Sequence, residues 1–361
     1  MTISTSEPPP LNEDQRALQD ALRGFLADQL PPQALRAALE TQAGFSQDLH
    51  ARLAGDLGLA GLTIPAEFGG FARTQAEASV MHAELGRALY PGPFLPSAVA
   101  AGTLLAAGHQ ESCQRWLPQL ADGSVSAAVA AADEAGRWVP GPASVRAHYG
   151  TGGWRLSGRR WYVVAAHTAT ILLVPAMAES GLAMFLAEAS APGLTVVRQL
   201  DLDLTRRISI VTFEAAPAVL LAKDGAAALA RAEQEFLIAT AAEAAGGISW
   251  SLDSIMTAVR DTGQGGSFTE TAQFYVDMLS DLEHVSAAAR YAAAVTDLGS
   301  AEAATAAHVA ALQAGGSYRR VIDGALDYIA ENDGQLYYRR AWSAERLAGG
   351  PQAHRDALTR S

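Results

Sequence analysis

The sequence predicts an α+β chain in three parts: an N-terminal helical domain (residues 1–123), a middle antiparallel β-barrel or sandwich (124–223) and a C-terminal helix bundle (224–361). Three patterns support this division. The first part repeats apolar residues at helical spacing. The second carries short β-branched and aromatic runs between turn residues, and the third consists of long Ala-rich stretches.

Composition predicts a globular chain and excludes several function classes. The 361 residues are 49% hydrophobic and 18% charged, and the formal net charge of −12 comes without a basic cluster, which argues against nucleic acid as a partner. The single Cys113 excludes a disulfide framework and a four-thiolate metal site. No apolar run approaches the roughly 18 residues that cross a bilayer, and the polar, proline-rich start is not a signal peptide, so we expect a cytoplasmic protein without a membrane partner.

The N-terminal part predicts helices separated by Gly/Pro breaks. Asn12 or Asp14 can cap the first helix. Its apolar stripe is Leu18, Leu22, Phe25 and Leu26. The break at 58–70 precedes a helix over 75–89, and two shorter helices are expected within 97–120.

The middle part predicts short strands, because β-branched and aromatic runs alternate with Gly, Pro and Asp. The runs are WRLSG, RWYVVA, TILLVPA, AMFLAE, LTVVRQL and ISIVTFE.

The C-terminal part predicts three long helices, because Ala is the best helix former and allows close helix packing. They are expected over about 226–260, 268–298 and 302–322. An ordered loop should follow over Asp323–Asp333, and a last helix should run from Gly334 to a stop at Gly349-Gly350.

Five segments, taken in order, resemble signatures of the acyl-CoA dehydrogenases. They are GLTIPAEFGG (61–70), AELGRALYPGPF (83–94), RWLPQLADG (115–123), GGWRLSGRRWYVVAAHTATILLV (152–174) and the YYRRA…LAGG pattern of the last helix. The resemblance covers nearly the whole chain. It implies the family's architecture of a helical domain, a β-domain and a four-helix bundle. It also implies the family's reaction on an acyl-CoA thioester with FAD.

The family's reaction removes a proton from the α-carbon, and the residue that does so is a Glu in a Tyr-Glu-Gly-Thr segment. The matching position here is Ala348, and alanine accepts no proton. A minority of the family places the Glu ahead of an Ala-Gly-Gly, where this chain has Thr240. Glu243 and Glu331 are weak substitutes. A structural role is favoured for Glu243, and anchoring of a loop for Glu331.

The flavin contacts that the resemblance implies are also altered. Tyr162-Val163-Val164 stands for the family's Trp-Ile-Thr, and Ala132-Asp133-Glu134 for its Thr-Glu-Pro. Arg260 lies two positions from the Arg expected to reach the FAD pyrophosphate, and Asp323-Gly324-Ala325 begins the counterpart of the glycine-rich flavin loop. The candidate cofactor contacts are Tyr162, Val164, Arg260, Phe268, Gly324 and Glu331.

An intact set of fold signatures around a damaged site resembles the base-less β-type subunit of the heterotetrameric acyl-CoA dehydrogenases of bacterial steroid degradation. The implied partner is a second family chain that carries the catalytic Glu. The implied substrate is a bulky acyl-CoA, and the FAD would be shared at the subunit interface. Two alternatives stay open: a self-sufficient homotetrameric enzyme with a displaced base, and a non-redox scaffold or acyl-CoA-binding subunit.

Other motifs point to ordinary structural roles. The eight histidines show no pair at metal-ligand spacing, and the GQGG and GTGG segments lack the strand–helix context and lysine of a phosphate loop. Arg339-Arg340 is expected to be a surface or interface pair on the last helix.

Overall fold

The computed structural model describes residues 10–138, 145–199, 202–262, 268–329 and 331–360. Its first part is helical. The helices are α1 (Glu13–Gln29), α2 (Pro32–Glu40), α3 (Gln47–Ala51), α4 (Gln75–Arg87), α5 (Phe94–Ala107) and α6 (Gln110–Ala121), with short 3₁₀ or π turns between α3 and α4. Asn12 and Gln15 form a capping box at the start of α1, as an Asn ahead of an apolar helical stripe predicts.

The middle part is a seven-stranded sheet that curls into a barrel. Its strands are β1 (Ala127–Val129), β2 (Arg146–Gly150), β3 (Gly153–Val164), β4 (Ile171–Ala178), β5 (Gly181–Glu188), β6 (Leu194–Arg198) and β7 (Ile208–Ala222). The order β4–β2–β3–β7–β5 closes because β5 also pairs with β4. Most pairs are antiparallel, whereas β4 pairs in parallel with β1 and, at one register position, with β2.

The last part is the helix bundle. It contains α7 (Ala226–Thr262), α8 (Phe268–Asp297), α9 (Ala303–Ala325), α10 (Glu331–Arg346), a 3₁₀ turn (Leu347–Gly349) and α11 (Gly350–Arg360). One buried apolar cluster runs through the N-terminal helices and this bundle, and a second fills the barrel. No helix in the described part of the chain is long and apolar enough to cross a membrane.

The loop predicted over Asp323–Asp333 was wrong at both ends. Helix α9 continues to Ala325, and α10 already begins at Glu331. The reason is packing: Tyr318, Ile322 and Ala325 lie one or two turns apart and are fully buried, so tertiary contacts extend α9 through Gly324. Helix α10 ends at Arg346, close to the stop predicted at Gly349-Gly350, but it is not the last helix, because α11 follows the 3₁₀ turn directly.

Helices α4 and α7 cross at very close range, and glycines make the approach possible. A Cβ on Gly246 would overlap the carbonyl oxygen of Ala83, and a Cβ on Gly86 would overlap the backbone of Glu243. Backbone atoms in packed helices have little freedom to move aside. The crossing therefore fixes the distance between the N-terminal helices and the bundle.

Substitution of Gly246 by Ala is expected to lower the free energy of unfolding by about 1–3 kcal/mol, because it overpacks this crossing. The matched control is Gly316→Ala on α9, where an added Cβ meets only the end of the Arg320 side chain at 3.6 Å. That control should be neutral or slightly stabilising, since Ala has the higher helix propensity. Urea denaturation measures both variants; equal stability of the two would contradict the tight crossing.

Candidate functional site

A buried cluster of charges joins the β-domain to the bundle. Arg340 on α10 donates from Nε to Thr205 Oγ1 at 2.9 Å and from Nη2 to the Thr205 carbonyl at 3.0 Å. Its Nη1 lies 3.0 Å from Glu243 Oε2 on α7, and its Nε lies 3.2 Å from Asp203 Oδ2. Arg206 also pairs with Glu243. The Arg340 and Asp203 side chains are only 4% and 0% exposed, so this cluster is part of the core.

The cluster balances two carboxylates against two guanidinium groups. Burial of an ion is costly unless a partner of opposite charge and hydrogen bonds replace the lost water. Glu243 accepts from both Arg206 and Arg340, so its carboxylate is committed to holding the loop between β6 and β7. This geometry supports the structural role favoured for Glu243 over that of a base.

The expectation of a surface or interface pair at Arg339-Arg340 was wrong for Arg340. Arg340 is 4% exposed and sits inside the charge cluster, while Arg339 is half-buried. On a helix, consecutive residues point about 100° apart, so two adjacent arginines meet different surroundings. The sequence offers no sign of which one turns inward, because the two acidic partners lie far away along the chain.

Two of the predicted flavin-contact residues face one cavity. Tyr162 and Val164, at the end of β3, share it with Trp138 and Phe236. The remaining lining residues are Pro96, Val99, Val129 and Ala132. The cavity measures only about 10 Å³. That volume is at the limit of what one water molecule needs.

Trp138 and Phe236 fill the space beside Tyr162 and Val164. Their ring centroids are 4.8 Å apart, and Trp138 is 7% exposed. FAD, which the resemblance implies, would need room here for the flat three-ring isoalloxazine. The residues present do not fit that ring, because their own aromatic side chains occupy the volume.

The other predicted contacts lie elsewhere. Arg260 is exposed in the last turn of α7, and Gly324 lies in α9, where an added Cβ would overlap the Phe274 ring. Neither lines the cavity beside Tyr162. Phe268 and Glu331 begin α8 and α10, and their side chains fall outside the part of the structure that is described. As cofactor contacts, all six residues stay predictions.

Neither of the two positions at which the resemblance places a catalytic carboxylate carries one. Ala348 lies in the 3₁₀ turn between α10 and α11. The Thr240 hydroxyl donates to the Phe236 carbonyl at 2.9 Å, a bond within α7.

A further buried carboxylate that the sequence analysis did not single out lies on α7. Glu235 on α7 accepts from Gln75 Nε2 at 3.0 Å and from Arg231 Nε at 2.5 Å. Burial raises the pKa of Glu235 to about 7, against the opposing effect of Arg231. The signal in the sequence was an acidic residue four positions after an arginine in an otherwise apolar helical stretch. Among the described residues, no group of three or more His, Cys, Asp or Glu side chains could hold a metal ion.

Comparison with known proteins agrees with the architecture. Residues 12–124 match a protein-family model described as the acyl-CoA dehydrogenase N-terminal domain. Acyl-CoA dehydrogenase IpdE2 of Mycolicibacterium smegmatis is 28% identical over 348 residues, which cover 95% of this chain and 96% of that protein.

Solved structures of similar shape include two that are each named for a pair of proteins. A variant of the Tcur3481-Tcur3483 steroid ACAD superposes with a TM-score of 0.87 at 26% identity, over 96% of this chain and 97% of that one. The ChsE4-ChsE5 complex from Mycobacterium tuberculosis superposes with a TM-score of 0.82 at 24% identity, over 97% of both chains, which shows a shared fold.

Replacement of Arg340 by Met is expected to destabilise the protein by about 3–5 kcal/mol, because Asp203 and Glu243 lose a cation inside the core. Arg339→Met is the matched control on the same helix and should change stability by less than about 1 kcal/mol. Chemical denaturation compares the two. Similar losses in both variants would mean that the buried pairing contributes little.

The raised pKa of Glu235 predicts a pH dependence of stability. The folded pKa of about 7 lies above the reference value of 4.5, so folding disfavours the charged form. The contribution of Glu235 to stability should therefore fall as the pH rises from about 4.5 to about 7 and then level off, whereas the buried His50, His82 and His354, whose pKa values are lowered, contribute in the opposite direction. The melting temperature of Glu235→Gln should therefore rise relative to that of the wild type over this range, whereas Glu283→Gln at an exposed site of α8 should keep a constant difference from the wild type. A wild-type and a Glu235→Gln profile that run parallel from pH 4.5 to 8 would contradict the prediction.

Proposed function

The chain is a member of the acyl-CoA dehydrogenase family, and we propose that it is the base-less subunit of a two-chain complex that dehydrogenates a bulky acyl-CoA between its α and β carbons. Members of this family are oxidoreductases that act on the CH–CH bond of acyl-CoA thioesters. In the proposal, a second family chain supplies the carboxylate that takes the α-proton. This chain supplies a rigid framework beside that site.

The observation that carries the proposal is the state of Glu243. Abstraction of an α-proton needs a carboxylate that is free to approach the substrate. Ala348 and Thr240 offer none, and Glu243 is held between Arg206 and Arg340 inside the core. Withdrawal of Glu243 for catalysis would leave two buried guanidinium groups without it, at a cost of several kcal/mol. None of these three positions, whose residues the structure describes, supplies a free carboxylate, and the proposal therefore places the proton acceptor on another chain.

The closed cavity beside Tyr162 and Val164 supports the same reading. FAD supplies the hydride acceptor of the family's reaction when it is bound, and the side chains of this chain leave no room for its ring there. In the proposed complex, FAD lies at a subunit interface and is bound mainly by residues of the partner.

The class of substrate and partner is proposed from the relatives. The structure at 26% identity is of a steroid ACAD named for two chains, Tcur3481 and Tcur3483. The ChsE4-ChsE5 structure is likewise named for two chains. A bulky, steroid-like acyl-CoA and a partner of the same family are the corresponding proposals for this chain.

One observation favours a second candidate function, a self-sufficient enzyme with a displaced base. Glu235 has a pKa of about 7, which suits a general base at neutral pH. Its carboxylate, however, is bonded to Gln75 and Arg231 and does not line the cavity beside Tyr162. The heteromer is therefore the better-supported proposal.

The deciding experiment is the visible spectrum of the chain purified alone and after co-expression with a family member that retains the catalytic Glu. We expect flavin absorbance and dye-linked acyl-CoA oxidation only in the co-purified complex. Within that complex, Glu→Gln in the partner should abolish activity, and Glu235→Gln here should leave it within about threefold. Stoichiometric flavin and activity in the lone chain, lost on Glu235→Gln, would instead establish the second candidate.

A further inference from the structure

The segment that fills the cavity beside Tyr162 is a compact turn with its own internal bonds. Asp133 Oδ1 accepts from the backbone N–H groups of Ala135 and Arg137, both at 2.9 Å. The backbone closes the turn as well, since Asp133 N–H donates to the Arg137 carbonyl at 2.9 Å. The shape of the turn is thus stabilised by hydrogen bonds within the turn itself, and Trp138 lies at its end.

Burial of Trp138 contributes most of the free energy that keeps the turn against the cavity. A buried tryptophan removes roughly 150–250 Å² from water, and Trp138 packs against Phe236 across the space. The Arg137–Asp133 ion pair contributes little by comparison, because its arginine side chain is 60% exposed.

The same turn also reaches the C-terminal 3₁₀ turn that contains Ala348. Gly136 faces Gly349, with only 3.5 Å between a Cβ built on Gly136 and the Gly349 nitrogen. A Cβ on Gly349 would in turn lie 3.3 Å from Arg137 Cγ. Residues 133–138 therefore lie between the end of β3, helix α7 and the turn where a base would stand.

We propose that the Asp133–Trp138 turn is a built-in plug, and that Trp138 is the residue that keeps a flat aromatic ring such as isoalloxazine out of this chain's cleft. This inference rests on the proposed function, and it explains how a chain of this family would bind no flavin ring in its own cleft. The ligand class that the opened cleft would take is a flat, largely apolar ring system, because the surrounding side chains are Tyr162, Val164, Phe236 and small apolar residues.

The test uses lumiflavin, which is the flavin ring without ribityl phosphate or adenosine, so that binding does not depend on the pyrophosphate contacts. Quenching of lumiflavin fluorescence is titrated against the full-length wild type and Trp138→Ala. We expect no saturable binding to the wild type and saturable binding to Trp138→Ala, at least about tenfold tighter than the wild-type limit.

Two controls make the result specific, and one further variant guards against unfolding. Arg137→Ala removes the exposed ion pair but keeps the tryptophan and should behave like the wild type. Trp154→Ala removes a half-buried tryptophan that packs against Tyr149 and Phe185 in the barrel, and it should also leave lumiflavin unbound. Trp138→Leu replaces Trp138→Ala if circular dichroism shows that the smaller side chain unfolds the protein.

Two outcomes would overturn the proposal that the Asp133–Trp138 turn excludes the ring. Lumiflavin binding to the wild type as tight as to Trp138→Ala would show that the turn excludes nothing. A folded Trp138→Ala or Trp138→Leu that binds no lumiflavin would show that another feature closes the cleft. Either result leaves the two-chain proposal to its own test, because co-purification of the partner and flavin with the wild-type chain does not depend on lumiflavin binding.

Discussion

The contact between Arg340 and the carboxylates of Asp203 and Glu243 is the constraint on which the rest of the structure depends. One guanidinium on α10 reaches α7 and the loop between β6 and β7, and the Arg340 and Asp203 side chains are almost fully buried. Since buried charges are costly when separated, the loop, α7 and α10 keep one arrangement. The barrel is thereby held against the bundle in a single position.

The packed helices and barrel, which form the framework, differ from the cleft beside Tyr162 in how they are filled. The framework is tightly made: glycines bring α4 and α7 into near contact, and apolar side chains fill both the barrel and the bundle. The cleft beside Tyr162 is closed by aromatic side chains of the chain itself. A tight framework with a closed cleft is consistent with the proposed role, in which this chain supplies the shape of the site and a second chain supplies the proton acceptor.

Two predictions made from neighbouring residues alone were wrong, one for the Asp323–Asp333 segment and one for Arg340. The Asp323–Asp333 stretch lacks helical periodicity and contains Gly324. Burial of Tyr318, Ile322 and Ala325 nevertheless extends α9 as far as Ala325. Arg340 looked like its neighbour Arg339, and only α7 and the β6–β7 loop distinguish them. In both cases the deciding contacts come from residues distant in the chain, which a window along the sequence does not contain.

The sequence by itself determined the order of helical, β and helical parts and the extent of most helices and strands. These features follow from periodicity, turn residues and residue identity, which are local properties. Only the tertiary structure decided that Glu243 is a structural anion, that Glu235 has a pKa near neutrality and that Trp138 occupies the cleft. Burial, ion pairing and cavity volume belong to groups that meet across the fold, and no single stretch of the chain carries them.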